Sequence, residues 1–285
     1  MLAPEPTLSD EELVCLGLFG AGRLGSVIAR VWMAQANRKM TVWSRRGRYE
    51  PKSGCLRLKD VNWVSEWHDL LSAERIVAAI PGRALVELAR HSHEAQTFEG
   101  SLYSAAVAVP QTVLQGLFPR ATVVRVAMFL VDGVNSIPML ALRPSRITDE
   151  TWETVLADLR CLGEVDVVED EPTFDHLTLL GSPWPTVLES LLHSAVDVGV
   201  AGLTDESVAA LGRRMIYRAL SSSMSRSCPD SAETAHAADQ VATPGGITEH
   251  GLRNIQELAH SLDAVLVGMF KHATQLRVTQ EDGAI

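Results

Sequence analysis

The chain has 285 residues, of which 46% are hydrophobic, and it carries a formal net charge of −10. This size is enough for one large core or two ordinary ones, so we expect a globular protein with two domains. The acidic balance, without any Lys/Arg-rich run, argues against nucleic acid as a partner. The four cysteines lie far apart with no Cys-x-x-Cys spacing, which predicts free thiols rather than a metal site or a disulfide framework.

The N-terminal sequence predicts neither export nor membrane insertion. MLAPEPTLSDEEL lacks a basic segment followed by an apolar one, and no apolar run approaches the roughly 18 residues of a membrane helix. We therefore expect a cytoplasmic protein without a membrane partner, in which residues 1–12 form a flexible arm.

Short apolar runs alternate with amphipathic stretches from Leu13 to about Val168. The runs are LVCLGLF, MTVW, RIVAAI, SLYSAAVAV and TVVRVAM. The alternation is typical of a parallel sheet with crossover helices, and it predicts an α/β domain over residues 13–168. A helix over Thr151–Leu162 and a short strand, EVDVV, are predicted to end this domain.

The strand pattern disappears beyond Pro172, and residues 169–285 are predicted to form an all-α domain. Helical spacing of apolar residues marks Val187–Val200 and a long final helix from about Ile247 to His272. Such long apolar faces in a half-chain of only about 110 residues are more easily covered between subunits than within one. We therefore expect a homodimer through these helices, with a higher oligomer left open.

Three glycines follow the first predicted strand and open a helix. Gly20 permits a tight turn, Gly22 allows a pyrophosphate to approach the backbone, and Gly25 allows the helix and strand to pack closely. G-x-G-x-x-G alone is a weak signal, but here a strand precedes it and a helix follows. The pattern predicts a dinucleotide site in a doubly wound Rossmann-type sheet, with Arg23 and Leu24 in the same turn.

The residues after the second predicted strand indicate which dinucleotide the chain binds. An NAD-selective domain carries Asp or Glu there, whereas this chain has Ser44, Arg45 and Arg46. Two guanidinium groups and a hydroxyl suit a 2′-phosphate, so NADP(H) is the predicted cofactor. The alternative is a plain glycine turn with solvent-exposed arginines.

A second glycine turn, Thr-Pro-Gly-Gly-Ile-Thr, occupies residues 243–248. Pro244 fixes its own backbone, and Gly245 and Gly246 carry no side chain that would keep a ligand from the main chain. The N–H groups of the following helix could bind a carboxylate, with hydroxyls from Thr243 and Thr248. A glycine-containing helix cap is the alternative interpretation of this stretch alone.

This turn resembles the signature of the pyrroline-5-carboxylate reductase family, Ser-Pro-Gly-Gly-x-Thr followed by an apolar helix. FDHLTLLGSPWPTVLESLLHSAVDVGVAGLTDESV, over Phe174–Val208, resembles the same family's Asp-x-x-Thr-Ala-Leu segment and the helix after it. With the N-terminal glycines, the resemblance spans nearly the whole chain. It implies reduction of a cyclic imine by NADPH, with a helical domain that interlocks with a partner subunit.

The resemblance also implies roles for individual residues. The substrate carboxylate would rest on the Gly245 and Gly246 turn, where Gly246, Ile247 and Thr248 offer main-chain N–H groups. Thr243 would replace a serine that contacts substrate, and the Thr248 hydroxyl would be the catalytic group near the imine nitrogen. In the Rossmann domain, a cofactor loop would be formed by Ala79, Ile80 and Pro81.

Three departures from the family pattern surround the expected site. The family's Met-Pro-Asn-Thr-Pro is replaced by Ala127–Asp132, and its Ala-Val-Lys-Pro lysine is absent from Ala78–Pro81. Its Ser-Gly-Ser-Gly-Pro becomes Gly181–Pro185, which introduces Trp184. We expect a different imine or a keto acid as substrate, in a pocket lined by Trp184 with Met128 and Phe129, unless Trp184 and Phe129 only fill core.

Two other functions remain open. The first is an NADP-dependent carbonyl or keto acid reductase of the same fold, which would call for a lysine or similar acid near the nicotinamide. The C-terminal half has no lysine before Lys271, which counts against it. The second is a non-catalytic NADP-binding sensor, suggested by loss of the polar Asn-Thr loop.

Overall fold

The computed structural model describes residues 14–45, 61–129, 136–181, 183–201, 203–224 and 255–277. These residues divide into two compact units, one within Met1–Leu179 and Ala273–Ile285 and the other within Leu180–His272. The predicted arm and the predicted turn at residues 243–248 lie outside the described residues.

The described part of the first unit is built on an eight-stranded sheet. Its strands are β1 Val14–Phe19, β2 Arg38–Trp43, β3 Val61–Trp63, β4 Arg75–Ala78, β5 Ser101–Ser104, β6 Thr122–Met128, β7 Met139–Leu142 and β8 Val165–Val168. The spatial order is β3-β2-β1-β4-β5-β6-β7-β8, and only the β6/β7 pair is antiparallel. The first six strands have the 3-2-1-4-5-6 order of the Rossmann fold, which confirms the predicted fold class.

Helices cover both faces of this sheet. They are α1 Arg23–Met33, α2 Gly82–Ala89, α3 His93–Thr97, α4 Gln111–Leu117 and α5 Asp149–Arg160, together with a 3-10 helix at Trp67–Ser72. Successive residues of one strand alternate between two cores: Val77 packs with α1 and α5, whereas Ile76 and Ala78 pack with α2 and α4. Burial on both faces explains why the strands are continuous apolar runs rather than alternating ones.

The rest of the described chain is helical. Its helices are α6 Glu171–Gly181, α7 Pro183–Val200, α8 Glu206–Met224 and α9 Ile255–Leu276. Helix α7 contains the predicted Val187–Val200 helix, and α9 ends beyond the predicted His272. None of the helices described is both long and apolar enough to cross a membrane.

Candidate functional site

The turn between β1 and α1 requires glycine at two of its positions. Gly20 has φ 92°, and a Cβ there would lie 2.6 Å from Ile80 Cγ2 and 2.7 Å from the Ala79 carbonyl oxygen. A Cβ on Gly25 would lie 2.0 Å from the Gly20 carbonyl oxygen. These two glycines therefore let the chain turn sharply and let α1 cross the end of β1 at close range.

Gly22 has no such structural reason to be glycine. It is exposed, its φ is −74°, and a Cβ there would meet no atom within 4 Å. It is the N-cap of α1, no side chain caps that helix, and its first turn holds no acidic residue. The first N–H groups of an uncapped helix favour an anion, so the space that a side chain would fill suits a pyrophosphate.

The turn lies where the order of strands reverses. β1 is flanked by β2 on one side and by β4 on the other. The Gly20 N–H donates to the Trp43 carbonyl oxygen at 2.8 Å, and the Ala79 N–H donates to the Phe19 carbonyl oxygen at 2.9 Å. Ligands of open α/β sheets bind in the crevice at the carboxyl ends of strands at such a point.

Two of the residues predicted to bind the 2′-phosphate, Ser44 and Arg45, directly follow β2. Ser44 is half-buried and Arg45 is exposed, whereas Arg46 lies outside the described residues. Trp43 fixes this end of the strand, because its indole Nε1 donates to the Ser65 carbonyl oxygen at 3.1 Å and its ring meets Phe19 edge-on, 6.1 Å between centroids. Sequence reasoning did not single out Trp43, although it directly precedes the Ser-Arg-Arg stretch.

On the other side of the turn, the loops after β4 and β5 contact each other. Ala79 and Ile80 are half-buried, and Pro81 is the N-cap of α2. A Cβ on Gly82 would lie 2.8 Å from the Val107 carbonyl oxygen and 2.5 Å from a methyl of Val109, so the backbones approach closely. Residues 79–82 and 105–110 contain no charged side chain.

Met128, the last residue of β6, and Phe129, which follows it, pack in or against the core. Met128 is 8% exposed, and the Phe129 N–H donates to the Pro138 carbonyl oxygen at 2.9 Å. The Phe129 ring packs against a small core cluster formed by Ala127, Leu140, Leu142 and Phe174. Core filling, the alternative interpretation of Phe129, is therefore what the structure supports, and Met128 is buried as well. Trp184 is half-buried on α7, in the other unit.

A buried arginine organises the charges near the end of the sheet domain. Arg125 on β6 is 3% exposed; its Nη1 contacts Glu171 Oε1 at 2.5 Å and its Nη2 contacts Asp175 Oδ1 at 2.7 Å. Glu171 also accepts from the Gln111 N–H that opens α4, at 2.7 Å. Arg277 contacts the same two carboxylates at 3.1 and 3.6 Å. Because both acids are paired with arginines, this cluster joins β6, the start of α6 and Arg277.

A second polar cluster joins α5 to the sheet. The Tyr103 hydroxyl donates to Asp158 Oδ2 at 2.6 Å, and Arg75 Nε donates to both oxygens of Asp158 at 2.8 Å. Burial, followed by the charge of Asp158 and this hydrogen bond, raises the pKa of Tyr103 well above its ordinary value. Among the described residues, no three His, Cys, Asp or Glu side chains are grouped to hold a metal ion.

We compared this architecture and the sequence with those of known proteins. No protein-family model matches the sequence, and no curated protein matches it. The structure is similar to a pyrroline-5-carboxylate reductase from Coxiella burnetii, with a TM-score of 0.72 and 16% identity over 94% of this chain and 100% of that one. The chain has the fold of pyrroline-5-carboxylate reductases.

Two further solved structures carry a cofactor. Pyrroline carboxylate reductase from Plasmodium falciparum, with NADP bound, has a TM-score of 0.71 and 16% identity over 94% of this chain and 99% of that one. A variant imine reductase from Myxococcus stipitatus, in complex with NAD+, has a TM-score of 0.54 and 16% identity over 92% and 93%. At these identities the likeness concerns the fold, and it confirms the family resemblance at that level.

Proposed function

We propose that this protein is an NADPH-dependent reductase of an imine carboxylate, with a cyclic imine as the favoured substrate. The strongest support for this proposal comes from Gly22. Close contacts in the fold require glycine at positions 20 and 25, whereas open space lies beside Gly22. A ligand that needs the main chain at the start of α1 explains that glycine. The fold shared with reductases of C=N bonds supports the same chemistry.

The cofactor is assigned to the carboxyl edge of the sheet. The turn from Gly20 to Gly25, including Arg23 and Leu24, holds the pyrophosphate, and Ala79, Ile80 and Pro81 border the nicotinamide half. Ser44, Arg45 and Arg46 bind the 2′-phosphate, which favours NADPH over NADH because guanidinium groups pair with phosphate. When bound, the nicotinamide supplies a hydride to the C=N carbon.

The substrate is assigned to residues 243–248 by their resemblance to the family signature. Main-chain N–H groups after the Gly245 and Gly246 turn bind the carboxylate, and Thr243 contacts the substrate beside them. The Thr248 hydroxyl orients the proton on the imine nitrogen, which becomes the amine nitrogen once the carbon is reduced. A threonine hydroxyl is a weak acid, so its contribution is positioning.

One observation favours a second candidate, a cofactor-binding sensor without turnover. Phe129 packs into the core where the family has a polar loop beside the nicotinamide. The sequence lacks the family's Asn-Thr pair at this point, and a sensor without turnover does not need that pair. It predicts NADPH binding without consumption of any imine.

A homodimer through the helical unit is part of the proposal. Large apolar side chains are exposed on its helices, including Val198 on α7 at 77% and Met215 on α8 at 63%. Exposed apolar surface of this kind marks an interface, and a second copy of the chain is the partner expected for a soluble enzyme. Light scattering is expected to give the mass of at least two chains for the parent protein. The double variant Val198→Asp/Met215→Asp is expected to give the mass of one chain. A monomeric parent protein contradicts the assignment.

NADPH oxidation tests the function when pyrroline-5-carboxylate, pyrroline-2-carboxylate, piperideine carboxylates and a keto acid are compared in parallel. We expect turnover of at least one imine, a kcat about tenfold lower or more in Thr248→Ala, and near-normal kcat in Thr248→Ser. NADPH binding with no turnover supports the sensor, and turnover of the keto acid alone supports the carbonyl reductase. Undiminished kcat in Thr248→Ala removes Thr248 from the mechanism.

A further inference from the structure

Val107 is an exposed apolar side chain at the carboxyl edge of the sheet. It follows β5 by three residues, and 65% of its surface is exposed. Other valines of the same unit, such as Val77 and Val109, are fully buried. A large aliphatic side chain left in water beside a ligand crevice is a candidate contact for the ligand.

The backbone holds Val107 in this position. The next residue, Ala108, has φ 65°, in the left-handed region that L-residues other than Asn and Asp rarely adopt. On the other side, the Val107 carbonyl oxygen lies against Gly82, where a Cβ would be only 2.8 Å away. A strained residue next to a close backbone contact indicates that the loop is held in one conformation, which is typical of ligand-binding segments.

The position of Val107 corresponds to the nicotinamide half of a Rossmann site. The fold consists of two mononucleotide-binding halves, and the glycine turn after β1 serves the first. The loops after β4 and β5 belong to the second half, and the described residues 79–82 and 105–110 carry no charge. Ile80, half-buried over Gly20, is the neighbouring aliphatic residue on the β4 side.

We propose that Val107 and Ile80 form an apolar platform for the nicotinamide ring, and that this platform makes the site hold NADPH more tightly than NADP+. The inference rests on the cofactor assignment of the proposed function. The reduced ring is neutral and the oxidised ring is a cation. An aliphatic surface removes water from one face of the ring without supplying a compensating anion, so it disfavours the cation. Val107 thus determines the preference between the two redox forms, and it favours occupancy of the site by the reduced cofactor.

The matched pair Val107→Asp and Val107→Asn tests the platform, because the two side chains have nearly the same shape and differ in charge. Kd is measured by calorimetry for NADPH, NADP+ and 2′,5′-ADP, which has no nicotinamide. The ratio of Kd for NADP+ to Kd for NADPH is expected to fall about three- to tenfold from Asn to Asp, for a charge near a solvated cation. Val107→Lys should raise the ratio, and 2′,5′-ADP should bind alike to all variants.

An identical ratio in the Asp, Asn and Lys variants overturns the proposal. A loss of 2′,5′-ADP affinity equal to the loss of NADPH affinity also overturns it, since Val107 would then act on the adenosine half or on the fold. These readouts need no imine. A protein that shows these differences in the Kd ratio but reduces no imine refutes the proposed function and leaves the platform intact. A protein that reduces an imine but has the same ratio in all three variants refutes the platform and leaves the proposed function intact.

Discussion

Replacing Gly22 by alanine separates a glycine kept for a ligand from glycines kept for the fold. The added methyl enters open space at an ordinary φ of −74°. Alanine is a poorer N-cap than glycine, but it reduces the entropy of the unfolded chain, and the two effects oppose each other. We therefore expect the free energy of unfolding to change by less than about 0.5 kcal/mol.

The same methyl is expected to weaken NADPH binding strongly. In the proposed site it lies where the pyrophosphate would reach the N–H groups of the first turn of α1, and displacing the phosphate would remove at least one hydrogen bond to a charged group. Such a bond contributes about 1.5–3 kcal/mol. The Kd for NADPH should rise roughly tenfold to a hundredfold, measured by calorimetry.

Gly25→Ala is the matched control. Its methyl carbon would lie 2.0 Å from the Gly20 carbonyl oxygen, and because that atom is backbone, α1 must move away from β1. Overpacking of this kind costs about 1–3 kcal/mol of stability. Thermal unfolding should show this loss for Gly25→Ala and not for Gly22→Ala. Unchanged NADPH affinity in Gly22→Ala would show that the open space beside Gly22 does not hold a pyrophosphate.

Three other predictions concern charge. Arg45→Ala should weaken NADPH binding at least tenfold more than NADH binding in paired titrations, because it removes a guanidinium from the 2′-phosphate. Equal losses of affinity for the two cofactors would show that Arg45 does not contact that group. Arg125→Met removes one of the two arginines that pair with Glu171 and Asp175, and it should lower the free energy of unfolding in urea by about 3 kcal/mol. A loss under about 1 kcal/mol contradicts the anchoring role. Burial raises the pKa of Tyr103, so the folded state keeps a proton that the unfolded chain releases above pH about 10. The stability due to Tyr103 is full below that pH and is lost as pH rises further, and Tyr103→Phe should remove this part of the alkaline slope; the same slope in both proteins contradicts it.

The part of the fold that sequence predicts well is the part determined by local pattern. β1, the glycine turn and α1 follow from an apolar run, three spaced glycines and helical periodicity, all within 20 consecutive residues. β7 escaped prediction because four buried residues, Met139–Leu142, show no periodicity, and their antiparallel pairing with β6 depends on chain far away. Short apolar segments of this kind fit several structures.

The loop after β5 shows where an apolar run misleads. SLYSAAVAV predicts one long strand, yet β5 ends at Ser104, and the chain then turns through a left-handed Ala108. The exposed Val107 therefore belongs to the loop after β5 rather than to the sheet. The charged cluster around Glu171 is likewise visible only in the folded chain, because its members are far apart in sequence. It joins Glu171 to Arg125 and Arg277.

The proposed reaction passes a hydride from NADPH to the carbon of an imine bound by this chain. NADPH deuterated at C4, incubated with each imine carboxylate and followed by NMR of the product, measures this transfer directly. We expect one deuterium on the former imine carbon of at least one product. Tight binding of the labelled cofactor, with no deuterium in any product, would contradict it.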